Sequence, residues 1–329
     1  MYRIAGALVS VVFIYLAVHQ TNLSEALRVL GTAQPALLAA GTLVYLSGIP
    51  VRTQRWRLIL RAQRELPWRK VLVPLTVGHM ANNVLPARTG ELYRAHFLGR
   101  RVRMSRSGVV GSIVVERTFD GLMLVGVILL VFALFPDEGL IGVAAILTGA
   151  FFVALALGLL LYGRTAERTH RGLDRGLRLL PHKLREFIWR RLESFLHGIQ
   201  GFLKTGRILE VSLYTVLIWA IEAGAIAFVV LAFGLNLPPG AYLLVFALAS
   251  LSTTLPSGPG YVGPYQYAFV LSLGAFAVSR EAALAVSVAA QAVLLGSVTV
   301  IGLALLWREH LISGLSGGED GPKPGREAG

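Results

Sequence analysis

Long apolar runs constrain the fold of this chain more than any other feature of its sequence. Several approach or exceed the ~20 apolar residues that carry a helix across ~30 Å of hydrocarbon. The strongest lie at residues 4–18, 35–51, 109–135, 140–162, 208–233 and 282–306. Since 55% of the 329 residues are hydrophobic and the mean hydropathy is +0.65, the sequence predicts an all-α, polytopic membrane protein with about six full spans.

The distribution of Lys and Arg predicts the topology. Residues 52–70 carry seven, 87–107 carry six and 163–207 carry eleven, whereas the other connections carry one or none. This asymmetry places both termini and the basic loops in the cytoplasm, so we expect a multi-pass protein of the cell membrane. Two apolar stretches are broken by Pro, Gly and polar residues: 71–86, with basic flanks, should enter and leave on the cytoplasmic side, and 240–278 should dip in from outside or cross twice.

The order of spans predicts two halves, each with two spans, a broken element and a final span. The broken elements would enter from opposite faces, as an inverted repeat requires, and would raise the apparent number of membrane segments to as many as eight. The internal match is short: "NNVLPARTGE" and "TTLPSGPGYVG" share a polar pair, Leu-Pro and a following glycine.

We expect a single integral membrane domain at residues 1–312 and a disordered cytoplasmic tail at 313–329, which is rich in Gly, Pro and charge. The basic loop 163–207 contains a segment, 173–203, with apolar residues at helical spacing. Two interpretations of this segment stay open: an interfacial helix on the cytoplasmic leaflet, or an amphipathic helix that caps the cytoplasmic mouth.

Composition excludes several kinds of site. The chain has no cysteine and only seven histidines, which show no ligand-like spacing, so we expect neither a metal nor a cofactor. The net charge of +13 comes from basic residues between apolar runs rather than on one soluble module. We therefore attribute it to topology and contact with anionic lipids, and expect no nucleic-acid partner.

The segment "NNVLPARTGELYRA", residues 82–95, places polar side chains directly after an apolar run. A broken backbone beside an arginine can hold a phosphate through a guanidinium and free N–H groups. The alternative is a loop whose glutamate pairs locally and whose arginines only follow the positive-inside bias. The candidate binding residues of this segment are Asn82, Asn83, Pro86, Arg88, Gly90, Glu91 and Arg94.

The segment "ERTFD" places two carboxylates, Glu116 and Asp120, on one face of a helix, with Arg117 beside them. We expect an ionic network that binds Arg88 or Arg94 of the preceding motif. The alternative is an acid/base or metal-binding pair.

A lone carboxylate, Glu222, lies at the middle of the span 208–233. It is protonated, paired with an arginine of another helix, or part of a proton or substrate path. Farther on, three prolines and three glycines in 253–269 exclude a continuous helix, so we expect unwound backbone that lines a cavity or, alternatively, interfacial tyrosines of a helical turn. The candidates of this stretch are Pro256, Pro259, Gly260, Gly263 and Gln266, with Tyr261, Tyr265 and Tyr267 as further cavity residues.

Together these segments resemble the flippase-like integral membrane family that includes the transmembrane part of lysylphosphatidylglycerol synthases, and the resemblance covers nearly the whole chain. Its first motif, N-x-x-P-x-R-x-G-E, falls on Asn83 to Glu91, and its second, E-R-x-x-D, on Glu116 to Asp120. Its third, L-P-x-x-P-G-G-x-G-x-x-E, begins at Leu255, but Tyr261 replaces the second glycine and Gln266 replaces the glutamate. The replacement at Gln266 removes the charge on which a coupling role of that glutamate would depend.

The resemblance implies movement of charged or glycosylated lipids between leaflets, so we expect a lipid flippase with alternating access around a path between the two broken elements. The alternatives are a membrane-embedded transferase or phosphatase acting on a lipid phosphate, and a non-transporting partner of a lipid-modifying enzyme. Because the chain ends soon after its last apolar run, we expect no soluble aminoacyl-transferring domain.

Overall fold

The computed structural model describes residues 2–85, 89–134, 150, 152–158, 161–162, 165, 182–255 and 257–316. Within these ranges all regular structure is helical. Three of the candidate residues, Pro86, Arg88 and Pro256, lie outside the described residues, as do most of the predicted span 140–162 and the tail from residue 317 onward.

The helices with defined bounds are α1 (Tyr2–Val18), α2 (Leu23–Leu30), α3 (Pro35–Leu60), α4 (Trp68–Val84), α5 (Gly90–Val102), α6 (Arg106–Leu134), α7 (His182–Lys204), α8 (Ile208–Leu231), α9 (Pro239–Ser252), α10 (Pro264–Gly274), α11 (Arg280–Gln291) and α12 (Ser297–Ser316). A 3₁₀ turn at Pro259–Tyr261 precedes α10, and a π-helical turn at Ala292–Gly296 joins α11 to α12.

The polarity of the molecule is that of a membrane protein. In the described residues, three helices are long and apolar enough to cross a membrane: Pro35–Leu60, Ile208–Leu231 and Arg280–Glu309. Large apolar side chains such as Leu43 and Leu209 are exposed, whereas several arginines are buried. Because lipid accepts exposed apolar surface and penalises unpaired charge, this arrangement fits a polytopic protein. The expected number of six spans stays a prediction.

Helix α3 is longer than the predicted span at 35–51. It continues to Leu60 because the apolar stripe also continues, through Trp56, Leu58 and Ile59, all almost fully buried. Pro50 lies inside the helix, where it costs one backbone hydrogen bond. The start of the expected basic loop 52–70 is therefore helical, and it carries arginines into the interior.

The stretch 71–86, expected to be broken, is one continuous helix as far as Val84 in spite of Pro74. It does not return within itself but packs against α5, and we call the pair α4 and α5 hairpin 1. Two glycines permit the close approach of the helices: a Cβ added at Gly78 would lie 2.7 Å from the Cβ of Arg94, and one at Gly90 would lie 2.4 Å from the backbone N of Asn82. Such distances are shorter than real Cβ contacts, so only glycine fits. Helices α4 and α5 thus pack closely side by side, and their entry from the cytoplasmic side stays a prediction.

The second broken element forms hairpin 2, made of α9 and α10 around the 3₁₀ turn. Its connection contains three residues with positive φ: Gly260 at 69°, Tyr261 at 60° and Gly263 at 102°. A Cβ at Gly263 would also lie 2.5 Å from the backbone O of Ser10 in α1. The backbone is therefore unwound at the place where the prolines and glycines predict it.

The two halves of the chain exchange contacts. Helix α3 packs along α8, the first helix of hairpin 1 packs on α12, and the first helix of hairpin 2 packs on α6. The amphipathic α7 covers α6, where Ile199 and Phe202 join Leu58 in one apolar cluster, while α2 covers α11. This reciprocal pattern is the one that an inverted repeat would produce, and the repeat itself stays a prediction.

Candidate functional site

A cavity of about 240 Å³ lies between the two hairpins. Hairpin 1 contributes His79, Asn82, Asn83 and Glu91, and hairpin 2 contributes Thr253, Thr254, Tyr261 and Tyr265. The remaining helices supply the charged lining residues Arg52, Arg55, Arg117, Asp120 and Glu222.

Glu116 is the centre of an ionic network beside this cavity. Its carboxylate accepts hydrogen bonds from Arg94 at 2.5 and 3.2 Å, from Arg55 at 3.2 Å and from Arg117 at 2.9 Å. The residue is 1% exposed. Since a buried charge is tolerated only when it is paired, the three guanidinium groups from α3, α5 and α6 account for its burial.

Asp120 extends the network along α6. Arg55 grips its carboxylate with both terminal nitrogens, at 2.5 and 3.2 Å, and Arg117 lies 3.4 Å away. Arg55 also donates to the hydroxyl of Thr215 on α8 at 3.1 Å. This two-pronged contact fixes the guanidinium geometrically and joins α3, α6 and α8.

Two residues of the motif around residue 90, Glu91 and Arg94, join the network, and each pairs with a different residue of α6. Glu91 pairs with Arg117 at 3.4 Å rather than with its own helical neighbour, whereas Arg94 crosses to Glu116. The guanidinium of Arg94 also stacks over Trp56, with its carbon 3.5 Å from the ring centroid. The expected contact between the two motifs is therefore present as the Arg94–Glu116 ion pair.

The arginines of the network differ in their access to a ligand. The side chain of Arg117 is 35% exposed, whereas those of Arg52, Arg55 and Arg94 are 2–7% exposed. Arg94 is absent from the cavity lining, which Arg117 reaches. Arg117 is thus the guanidinium in this group that a ligand can approach with the least rearrangement.

Glu222 is paired with an arginine of another helix, one of the three alternatives left open by the sequence. Arg52 of α3 donates to its carboxylate and also lies over the ring of Tyr45, 5.2 Å from the centroid. Both Glu222 and Arg52 line the cavity. The pair places a second ionic contact in the cavity wall, between α3 and α8.

The paired asparagines serve different contacts. The amide of Asn83 donates to the backbone O of Leu295 and to the hydroxyl of Thr299, both at 3.1 Å. Leu295 belongs to the π-helical turn, where the altered ladder leaves carbonyl groups available. Asn82 lines the cavity, and its buried side-chain oxygen has no hydrogen-bond partner among the described residues.

Gln266 holds the unwound connection of hairpin 2 together. Its oxygen accepts from the N–H of Gly263 at 2.8 Å, and its amide donates to Gln291 at 2.7 Å. Gln291 in turn donates to the carbonyl of Gly260 at 2.5 Å. An ionised glutamate could not donate to Gln291, so the departure from the family pattern suits this contact. Pro259, Gly260, Gly263 and Gln266 do not line the cavity, and their place in a head-group path stays a prediction.

Sequence reasoning did not single out Arg52, Arg55, Tyr45 or His79 as site residues. The available signal was the spacing of Arg52 and Arg55, which lie one helical turn apart directly after an apolar run. Because residues 52–70 were predicted to be a cytoplasmic loop, both arginines were attributed to the topology rather than to a site. The partner of Glu222 could be named only once α3 and α8 were seen to pack together.

The fold and the site together define a class: a polytopic helical membrane protein with a charged cavity between two broken helical elements. The chain belongs to the family described as the lysylphosphatidylglycerol synthase TM region, which matches residues 3–302. No solved structure matches the chain.

Three archaeal relatives were compared. "Glycosyltransferase AglD" of Haloferax volcanii is 31% identical over 340 residues, which cover 91% of this chain but 53% of AglD. The chain therefore spans about half the length of that relative. A "UPF0104 membrane protein" of Methanothermobacter thermautotrophicus is 25% identical to this chain. The similarity covers 87% of this chain and 88% of that protein. A second UPF0104 membrane protein, MJ1078 of Methanocaldococcus jannaschii, is 26% identical. The similarity covers 60% of this chain and 83% of that protein.

Proposed function

We propose that this protein moves a charged or glycosylated lipid between the leaflets of the cell membrane. The observation that supports this most is the cavity between the hairpins, which carries guanidinium and carboxylate groups inside a molecule with an apolar exterior. Ionisable residues at membrane depth are costly and usually mark a substrate path. The hydrocarbon tails would stay in the lipid while the head group crosses through this cavity.

Arg117 is the proposed first ligand of the lipid phosphate. Three carboxylates surround it: Glu116 at 2.9 Å, and Glu91 and Asp120 each at 3.4 Å. Guanidinium groups bind phosphate oxygens in the same forked geometry as carboxylates. An arriving phosphate can therefore replace one carboxylate, most simply Glu91, while the other two keep the guanidinium in place.

The two hairpins are the proposed moving elements. With both termini in the cytoplasm, hairpin 1 would face that side and hairpin 2 the opposite side, with the charged cavity between them. Alternating access would then consist of one half moving against the other around the cavity.

The relatives support a role in lipid or glycan chemistry. The name of AglD describes a glycosyltransferase about twice as long as this chain, and we propose that this chain acts together with an enzyme that modifies the lipid it moves. The metal-dependent transferase or phosphatase finds less support. Both carboxylates of its acidic pair, Glu116 and Asp120, are bound by arginines, and the described residues hold no group of three His, Asp or Glu that could bind a metal.

Lipid transfer in proteoliposomes tests the proposal. The full chain is reconstituted with labelled anionic and glycosylated lipids, and the label reachable from outside is measured over time. Arg117→Gln should slow transfer about tenfold or more, because it removes the accessible guanidinium. The matched control is Arg28→Gln, since Arg28 is exposed on α2. Absence of transfer by the wild type for every such lipid would contradict the proposal.

A further inference from the structure

We propose that the cavity takes a lipid phosphate whose remaining head group is uncharged and rich in hydroxyl groups, such as a sugar or a polyol. This inference rests on the proposed function and names its substrate class. It follows from a chemical difference between two sides of the cavity: one presents ion pairs, and the other presents tyrosine and threonine hydroxyl groups around one ion pair.

The charges of the cavity leave no free carboxylate for an ammonium group. Among the described lining residues, each carboxylate is already bound by a guanidinium: Glu222 by Arg52, Asp120 by Arg55 and Arg117, and Glu91 by Arg117. An aminoacyl or ethanolamine head group would have to displace one of these contacts. A phosphate also displaces a carboxylate, but Arg117 pairs with three of them and keeps Glu116 and Asp120 when Glu91 is exchanged.

The other side of the cavity presents neutral hydrogen-bonding groups. Tyr45, Tyr261 and Tyr265 line it near the Arg52–Glu222 pair. Thr253 and Thr254, at the start of the break in hairpin 2, line the same cavity. The two threonine hydroxyls donate to the backbone O atoms of Ser250 and Leu251, at 2.7 and 2.6 Å, so they offer lone pairs to a ligand. A tyrosine hydroxyl can both donate and accept, so the set matches the dual character of sugar hydroxyls.

Tyr265 provides the sharpest sign of a ligand. It is 3% exposed and lines the cavity, and its hydroxyl has no hydrogen-bond partner among the described residues. Buried tyrosine hydroxyls nearly always have a partner. Its ring is held by Phe269, with centroids 5.1 Å apart, so the hydroxyl is fixed in place. A head-group hydroxyl in the cavity supplies the missing partner.

Equilibrium binding to the purified full chain tests this inference without requiring transport. The probes are phosphatidylinositol, phosphatidic acid and phosphatidylethanolamine with identical tails, which present a hydroxyl-rich, a bare and an ammonium-bearing phosphate. The wild type should bind phosphatidylinositol about tenfold more tightly than phosphatidic acid. Tyr265→Phe should remove most of this preference and leave the binding of phosphatidic acid unchanged, since it deletes only the hydroxyl.

Tyr267→Phe is the matched control, because Tyr267 lies on the same helix, packs on Phe13 and does not line the cavity. Equal binding of the two anionic lipids, an unchanged preference in Tyr265→Phe, or tightest binding of phosphatidylethanolamine would each overturn the inference. If the protein prefers phosphatidylinositol but transfers no lipid in liposomes, the proposed transport is refuted and the proposed head-group class stands. If the protein transfers lipid but binds phosphatidylinositol no more tightly than phosphatidic acid, transport stands and the head-group class is refuted.

Discussion

Replacing Glu116 by glutamine tests whether the buried network holds the helices together. The change removes the only carboxylate that pairs with Arg94 in the part of the chain that the structure describes. Arg55 and Arg117 keep Asp120, so the loss falls mainly on Arg94, whose side chain is 3% exposed. Leaving a buried charge without its partner costs about 3–5 kcal/mol, and we expect Glu116→Gln to lower the free energy of unfolding by that amount.

The double variant separates charge from packing. Arg94→Gln alone should cost about 1–3 kcal/mol, because Glu116 keeps two other arginines. Arg94→Gln combined with Glu116→Gln leaves no unpaired charge, so it should be at least about 1 kcal/mol more stable than Glu116→Gln alone. Glu25 of α2, which forms a surface ion pair with Arg28, supplies a control, since such a pair contributes little and Glu25→Gln should lower stability far less than Glu116→Gln.

The assay is unfolding of the purified protein in mixed micelles, followed by helical circular dichroism during titration with a denaturing detergent. The wild type, both single variants and the double variant are measured under the same conditions. Two results would refute the reasoning. One is a cost of Glu116→Gln below about 1 kcal/mol, and the other is a double variant that is no more stable than Glu116→Gln.

Three further variants test the hairpins and the cavity. Gly78→Ala should cost about 1–3 kcal/mol of unfolding free energy in the same assay, because its Cβ would lie 2.7 Å from that of Arg94; Gly126→Ala, with nothing within 4 Å, should be neutral or stabilising. Glu222→Gln leaves its arginine without a carboxylate and should slow lipid transfer about tenfold, whereas full activity across the pH range would remove this residue from the path. Gln266→Leu should cost about 1–3 kcal/mol for each buried group left unpaired, and an unchanged free energy of unfolding would contradict its role in the connection.

The breaks in the chain could be predicted from the sequence because their causes are local. Gly260 and Gly263 occupy backbone conformations that other residues avoid, and the polar residues before Gly90 end one apolar run. The burial of Arg52 and Arg55 could not be predicted in this way. Whether an arginine after an apolar run faces water or the interior depends on which carboxylates a distant helix brings to it, and here these belong to α8 and α6.

The distribution of ion pairs indicates where the cavity can open. Arg55 makes three charged or polar contacts to α6 and α8, and separating α3 from these helices would leave it buried without a partner. Arg117 is different, because it can release Glu91 and still keep Glu116 and Asp120 on its own helix. The contact between α5 and α6 at Glu91 is therefore the least costly ion pair of the network to break. A phosphate at Arg117 would compensate for that loss, so head-group binding and the release of Glu91 would favour each other, while the buried Arg94–Glu116 pair keeps α5 on α6.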